Sequence, residues 1–191
     1  RPMYMILNYA LNGYANWSGV NWMFVDYVKV WKRTDSGTYN IIGNGGPDGT
    51  YTDSKSYNLG TNFYPAVAGR ITGVRVYAPV GDNGDHLCQL WNNATGDRTD
   101  FGTWTYTGNN SWISRSVTST LIAPPYNYII SVSTGTTNTY PADLNGWGSG
   151  GTNNSVLHWY WDSGRYGAKG TSAPITTSTT NYLRDIIFVP G

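Results

Sequence analysis

The chain has 191 residues, with 12 basic side chains against 11 acidic ones, and charged residues make up only 12% of it. No run of about 18 apolar residues occurs, which excludes a transmembrane helix. No block of basic residues occurs either, which argues against electrostatic binding of nucleic acid.

The composition favours strands over helices. All acidic residues are aspartate, the single glutamine is Gln89, and aromatic residues reach 15%, with 16 Tyr and 9 Trp. The straight-chain residues that favour helix surfaces are scarce, whereas Thr, Ser, Asn, Tyr and Val abound. The composition therefore predicts an all-β protein.

The first 33 residues contain two strand-like runs, at 3–11 and 24–31, separated by a turn-rich loop. These runs are predicted to form an N-terminal strand pair. Residues 34–56 follow, with a dense cluster of Gly, Asn and Pro at 43–49, and they are predicted to be a Gly-rich linker.

From residue 57 to the end, short strands alternate with turn signals. This spacing predicts an antiparallel two-sheet β-sandwich or jelly roll over residues 57–191. The clearest alternation lies at 127–133, where Tyr128, Ile130 and Val132 should share one face of a strand. The predicted strands lie at 63–68, 71–79, 86–92, 103–107, 111–118, 127–133, 156–161 and 182–189.

Several motifs give residues 57–189 a resemblance to the domain-of-unknown-function family 4082. The motifs are LGTNF at 59–63, GRITGVRVY at 69–77, HLCQLW at 86–91, RYG at 165–167 and NYLRDIIF at 181–188. The resemblance implies a β-sandwich module of the kind appended to secreted bacterial enzymes and surface proteins.

Residues 2–33 resemble the C-terminal end of a glycoside hydrolase family 16 domain. An apolar run that ends in a Gly-containing turn precedes MFVDYVKVW at 23–31, which is similar to the final strand of that family. Lys29 and Trp31 depart conservatively from the family pattern. The resemblance covers about the last two strands of a much larger jelly roll.

Hydrolytic catalysis is not predicted within this chain. Family 16 enzymes use a pair of glutamates, and retaining hydrolysis needs two carboxyl groups roughly 5 Å apart. The chain has no glutamate, and no two aspartates share a convincing strand, so no catalytic residue is assigned. No Gly-x-Ser-x-Gly motif supports a serine nucleophile, and His86 and His158 are interpreted as structural.

Asp82, Asn83 and Asp85 form an oxygen-rich segment that is typical of calcium loops, although it lacks the spacing and the closing glutamate of an EF-hand. A hairpin turn explains the same residues, because Asn-Gly is a turn signal. No cofactor is predicted, and a structural calcium ion stays open as an alternative. The single cysteine, Cys88, is predicted to be a buried apolar side chain.

An aromatic cluster in the C-terminal third is the candidate binding surface. A predicted strand places Trp159 and Trp161 on one face and Tyr160 on the other. Sugar rings have apolar C–H faces that stack on indole and phenol rings, and their hydroxyl groups need polar partners. The alternative is that one Trp face belongs to the core. The candidate carbohydrate-binding residues are Trp147, Trp159, Trp161, Asp162, Arg165 and Tyr166.

These observations predict a noncatalytic carbohydrate-binding accessory module of a secreted polysaccharide-degrading enzyme, with a polysaccharide or glycan as its partner. A second interpretation is a structural subunit of an extracellular or cell-surface assembly. In that case the N-terminal strands pair between subunits and form a homo-oligomer. A third is that the chain is the C-terminal fragment of an intact family 16-like glycoside hydrolase.

Overall fold

The computed structural model describes residues 37–148, 151–152 and 155–191, and every regular element among them is a strand. Val, Ile, Thr, Tyr and Trp, which suit a half-buried pleated surface, recur along these segments. The strands are β1 (Gly49–Thr52), β2 (Tyr57–Pro65), β3 (Gly69–Ala78), β4 (Asn83–Asn92), β5 (Arg98–Thr107), β6 (Ser111–Ile122), β7 (Tyr128–Ser133), β8 (Thr139–Ala142), β9 (Gly151–Thr152), β10 (Leu157–Trp159), β11 (Gly164–Ala168), β12 (Thr176–Ser178) and β13 (Arg184–Pro190).

The strands form two packed layers with antiparallel ladders. The larger sheet has the order β12-β11-β2-β7-β4-β5, with β10 beside the end of β2 and β9 beside β10. The smaller sheet has the order β13-β3-β6, and β1 pairs separately with β8. The Thr61 hydroxyl donates to the Arg184 carbonyl oxygen at 2.6 Å, which links the two layers. The prediction of an all-β antiparallel two-sheet sandwich is confirmed.

The core lies between the two sheets and is built from alternate residues of their strands. On β7, Tyr128, Ile130 and Val132 belong to the core cluster. On the opposite face of β7, the Ser131 hydroxyl accepts a hydrogen bond from the Trp91 indole nitrogen at 3.1 Å. The predicted alternation at 127–133 is thus confirmed. Each fully buried Val or Ile contributes roughly 1.5–3 kcal/mol relative to an exposed one.

Some strand limits differ from the predicted ones. Strand β2 begins at Tyr57, well before the predicted start at 63, because its polar first half pairs with β7 on one side and β11 on the other. Strand β10 ends at Trp159. The prediction that Trp159 and Trp161 share one face of a strand is therefore wrong, since Trp161 lies in the turn that follows.

The segment predicted to be a linker packs onto the sandwich over its described part, residues 37–56. Tyr39 and Phe188 exchange two backbone hydrogen bonds of 2.8 Å, and Ile41 is fully buried. Strand β1 pairs with β8 along its whole length. The Gly-rich composition of this segment therefore reflects turns within the fold.

The N-terminal strand pair predicted within residues 1–33 lies outside the described residues, and so does the inter-subunit pairing that depends on it. Both stay predictions. Among the residues that the structure describes, no helix is long and apolar enough to cross a membrane.

Cys88 lies on β4 with a buried side chain, which confirms its interpretation as an apolar core residue. Burial raises the pKa of the Cys88 thiol to about 12. Because only the thiolate reacts, we expect the native protein to react with Ellman's reagent at pH 8 roughly a thousandfold more slowly than the urea-unfolded chain. Labelling of the native protein at the unfolded rate would contradict this prediction.

Candidate functional site

The six predicted binding residues lie in three separate parts of the molecule. Trp147 and Trp159 pack against each other, with ring centroids 6.0 Å apart. The turn at 161–162 and the adjacent Arg165 form a second part. Tyr166 lines a different cleft, among other tyrosines. The single aromatic surface expected from the sequence is thus divided among three places.

The turn after β8 positions Trp147 at the edge of the core. A Cβ atom at Gly146 would lie 2.6 Å from the Asp143 Cβ and 2.9 Å from the Asn181 Cβ, so this tight approach requires glycine. The Trp147 indole nitrogen donates to the Thr180 carbonyl oxygen at 3.0 Å. Only 5% of Trp147 is exposed. Its ring is therefore fixed in orientation and presents only a narrow edge to solvent.

Trp147 and Trp159 border an open cleft of about 280 Å³, called here the Trp cleft. Trp159 is half-buried and packs against the core cluster, so its indole is supported by the core where it meets the cleft. The other residues that line the Trp cleft are Ile41, Ile42, Gly43, Gly45, Gly46, Asp143, Gly146, Asn181 and Leu183.

Asp143 and Asn181 supply the polar side chains of the Trp cleft. Their backbones exchange hydrogen bonds of 2.9 and 3.0 Å. Burial raises the pKa of the Asp143 carboxyl, and its Oδ1 accepts from the Asp48 N–H at 2.5 Å. The Asn181 Oδ1 accepts from the Leu183 N–H at 2.9 Å. The Asp143 Oδ2 and the Asn181 Nδ2 have no hydrogen-bond partner among the described residues, and they offer one acceptor and one donor group at the cleft.

One wall of the Trp cleft, residues 41–46, is held by a buried ion pair between β3 and β13. The Arg75 Nε and Nη2 lie 2.8 and 2.7 Å from the Asp185 Oδ2. Asp185 also accepts hydrogen bonds from the backbone N–H groups of Ile41 and Ile42, at 2.8 and 3.1 Å. The position of this wall therefore depends on a carboxylate in the smaller sheet.

The turn after β10 presents the most exposed tryptophan of the predicted set. Trp161 is 57% exposed. The neighbouring Tyr160 stacks on Tyr64, with ring centroids 5.2 Å apart. Arg165 is buried and donates to the Asp162 carbonyl oxygen, so its guanidinium stabilises this turn. Trp161 does not line the Trp cleft.

The three candidate calcium ligands point to different partners. Asp82 is fully buried, with its Oδ1 2.9 Å from the His86 Nε2 and its Oδ2 accepting from the Tyr106 hydroxyl at 3.0 Å. Asp85 is exposed, and the Asn83 side chain donates to a backbone carbonyl of its own turn. No group of three or more His, Cys or Asp side chains suited to a metal ion occurs among the described residues. The Asp82 carboxylate is therefore committed to two protein donors.

Sequence reasoning missed Asp143 and Asn181. The two residues are far apart in the chain, and an isolated backbone bridge between the end of β8 and the segment before β13 brings them together. The sequence feature that could have indicated these two residues is their position next to segments already singled out in the sequence. Asp143 lies shortly before Trp147, and Asn181 is the first residue of the NYLRDIIF motif.

Comparison with known families gives one match. The family model described as "Domain of unknown function (DUF4082)" matches residues 44–184, which include most of the residues that line the Trp cleft. No curated protein matches the chain. Residues 2–33 lie outside the family match, and their resemblance to glycoside hydrolase family 16 stays a prediction.

Proposed function

The chain belongs to the DUF4082 family, and we propose that it is a noncatalytic carbohydrate-binding accessory module of a secreted polysaccharide-degrading enzyme. The observation that carries the proposal is the Trp cleft, where two packed indoles adjoin a carboxylate and a carboxamide. The ligand is a glycan that inserts part of one sugar ring into this cleft.

The chemistry of the Trp cleft suits a sugar. The apolar C–H face of a pyranose ring packs on indole, as apolar groups generally do on aromatic rings. The ring hydroxyls donate to the Asp143 carboxylate and accept from the Asn181 amide. Because burial raises the pKa of the Asp143 carboxyl, this acceptor is lost at a less acidic pH than for an exposed aspartate. Glycan binding should weaken as the pH falls through the raised pKa of the Asp143 carboxyl.

The size of the cleft sets the scale of the ligand. Its volume of about 280 Å³ is near the lower end of the range for small-molecule pockets. The cleft therefore suits a short stretch of glycan. A module that binds such a stretch on an insoluble polysaccharide raises the effective concentration of any enzyme joined to it.

The absence of glutamate from the sequence supports a binding role over a cleaving one. Retaining glycosidases of the type that residues 2–33 resemble need a close pair of carboxyl groups. In the proposed arrangement, hydrolysis belongs to a separate catalytic domain. Association with a secreted enzyme depends on that resemblance and on the low charge of the chain.

Replacing Trp159 by alanine should weaken glycan binding at least about tenfold, because it removes the half-exposed indole from the Trp cleft. The measurement is retardation in affinity gels that contain a panel of β-glucans, galactans and other polysaccharides. The native protein should be retarded by at least one of them.

The matched control is Trp161→Ala, which removes a more exposed indole from outside the Trp cleft. It should leave retardation within about twofold of the native value, as expected for a surface side chain without a ligand contact. Slow labelling of Cys88 confirms that each variant is folded. If Trp161→Ala loses retardation while Trp159→Ala is retarded as strongly as the native protein, the glycan binds outside the Trp cleft. If no polysaccharide retards the native protein, the proposal is refuted.

A further inference from the structure

A second, smaller cleft has a different chemistry from the Trp cleft. Its volume is about 130 Å³, and four of the six described residues that line it are tyrosines. Strands β2, β8 and β11 contribute to it, together with the segment before β13 and the residue after β1. The lining residues are Asp53, Tyr57, Leu59, Tyr140, Tyr166 and Tyr182, and the four tyrosines with Asp53 are called here the tyrosine cage.

The rings of the tyrosine cage meet at steep angles. Tyr57 and Tyr166 have ring centroids 6.4 Å apart and planes inclined by 79°. Tyr140 and Tyr182 have centroids 6.1 Å apart and planes inclined by 67°. All four rings are half-buried. Neither pair offers two parallel rings, whereas a sugar ring stacks best on a flat, open aromatic face.

The electrostatics of the tyrosine cage favour a cation. Among the described residues of its lining, Asp53 alone carries a charge, and its exposed carboxylate accepts a hydrogen bond from the Tyr140 hydroxyl at 2.7 Å. A tyrosine is neutral at physiological pH, and burial and this hydrogen bond raise the pKa of the Tyr140 phenol further. Neutral phenol rings carry negative potential on their faces, and the carboxylate adds a full negative charge at the edge of the cleft.

We propose that the tyrosine cage binds a quaternary ammonium group of the choline class. Aromatic rings around a small cleft attract such cations through cation–π contacts, and the methyl groups pack against the same rings. A lysine-type ammonium is strongly hydrated and needs several hydrogen-bond acceptors, whereas a trimethylammonium group needs none. A metal ion is disfavoured because the part of the lining that the structure describes contains one carboxylate.

The ligand can be a free choline-type solute, a choline group on a polymer, or the headgroup of a choline lipid, because all three present the same cation. The site is separate from the Trp cleft, which shares no lining residue with it. The two proposals can therefore succeed or fail independently.

The test is titration of the full 191-residue chain with choline and with tetramethylammonium, followed by calorimetry and by NMR of the tyrosine ring protons. The matched ligand control is 3,3-dimethyl-1-butanol, which has the shape of choline without its charge. We expect saturable binding of both cations and at least about tenfold weaker binding of the neutral alcohol. Equal affinity for choline and the alcohol, or no binding of either cation, would overturn the proposal.

Variants assign the binding to the tyrosine cage. Tyr166→Ala and Asp53→Asn should each weaken choline binding severalfold to about tenfold, whereas Tyr166→Phe keeps the ring and should bind within about threefold of the native protein. The control is Tyr126→Ala, which removes an exposed tyrosine from the loop between β6 and β7. Unchanged affinity in both Tyr166→Ala and Asp53→Asn would overturn the assignment.

A sedimentation experiment separates the sources of the cation. Vesicles of phosphatidylcholine are compared with vesicles of phosphatidylglycerol, and Tyr166→Ala serves as the negative control. If the native protein pellets with phosphatidylcholine vesicles and Tyr166→Ala does not, the proposal is supported and the ligand is a lipid headgroup. Binding of free choline without pelleting supports it with a soluble or polymer-borne cation.

Discussion

Replacing Asp185 by alanine is expected to lower the free energy of unfolding by about 3–5 kcal/mol, because the change leaves the buried Arg75 cation without its counter-ion. Asp185 is fully buried and contacts two guanidinium nitrogens of Arg75. It also accepts from the backbone N–H groups of Ile41, Ile42 and Ile186. Each of these donors would lose a partner that water cannot easily replace.

The measurement is urea unfolding followed by tryptophan fluorescence. The control is Asp100→Ala, which removes the partner of Arg98 in an ion pair on the surface, with Asp100 half-exposed, and one acceptor of the Gln89 amide. Exposed pairs contribute about 1 kcal/mol or less, so this variant should be much less destabilised. Equal losses of stability in the two variants would show that burial of the Asp185 pair has no special energetic weight.

The Asp185 variant also bears on the proposed glycan site. The wall of the Trp cleft at 41–46 is attached to the smaller sheet through Asp185 and Arg75. Loss of the carboxylate should therefore weaken glycan binding even at temperatures where the variant is fully folded. Affinity gels run well below the unfolding temperature test this consequence.

Replacing Asp82 by alanine should lower the free energy of unfolding by about 2–6 kcal/mol, because it removes the acceptor of two buried groups at about 1–3 kcal/mol each. The His86 Nδ1 lies 3.2 Å from the Trp104 carbonyl oxygen, and its Nε2 lies 2.9 Å from the Asp82 Oδ1. The Asp82 carboxylate is thus a buried acceptor for the His86 ring. The Tyr106 hydroxyl would also lose its acceptor.

Asp85→Ala is the matched control, since this aspartate lies in the same segment and is exposed. It should change stability little. The pair of variants also tests the calcium interpretation by thermal unfolding with and without added calcium. A rise in Tm with calcium that both substitutions abolish would show that the loop binds the ion despite the hydrogen bonds of Asp82. Equal stability of the two variants would contradict the structural role assigned to Asp82.

The sandwich could be predicted from local patterns because strand signals are short in range. The alternation of Tyr128, Ile130 and Val132 specifies a strand with one face in a core, and the structure has this arrangement. The docking of residues 37–56 could not be predicted in this way. This segment is held by hydrogen bonds from Tyr39 to Phe188 and from Ile41 to Asp185. Each of these contacts joins residues that are separated by most of the chain.

The candidate site was predictable only in part. Trp147 and Trp159 attract attention as a local cluster, but their cleft is completed by Asp143 and Asn181 from different segments. Trp161 is close to Trp159 in sequence and still lies in another environment, because β10 ends between them. The tyrosine cage was even less predictable from the sequence, because Tyr57, Tyr140 and Tyr182 belong to three distant segments.

By itself, the sequence determined the fold class, the family, the burial of Cys88 and the lack of a glutamate pair, because each depends on composition or on patterns within a few residues. The tertiary structure alone decided which aromatic rings share a cleft and which charges lie beside them. The physical reason is that antiparallel pairing and sheet packing join residues across long stretches of chain. Such contacts leave no local periodicity by which the sequence could reveal them.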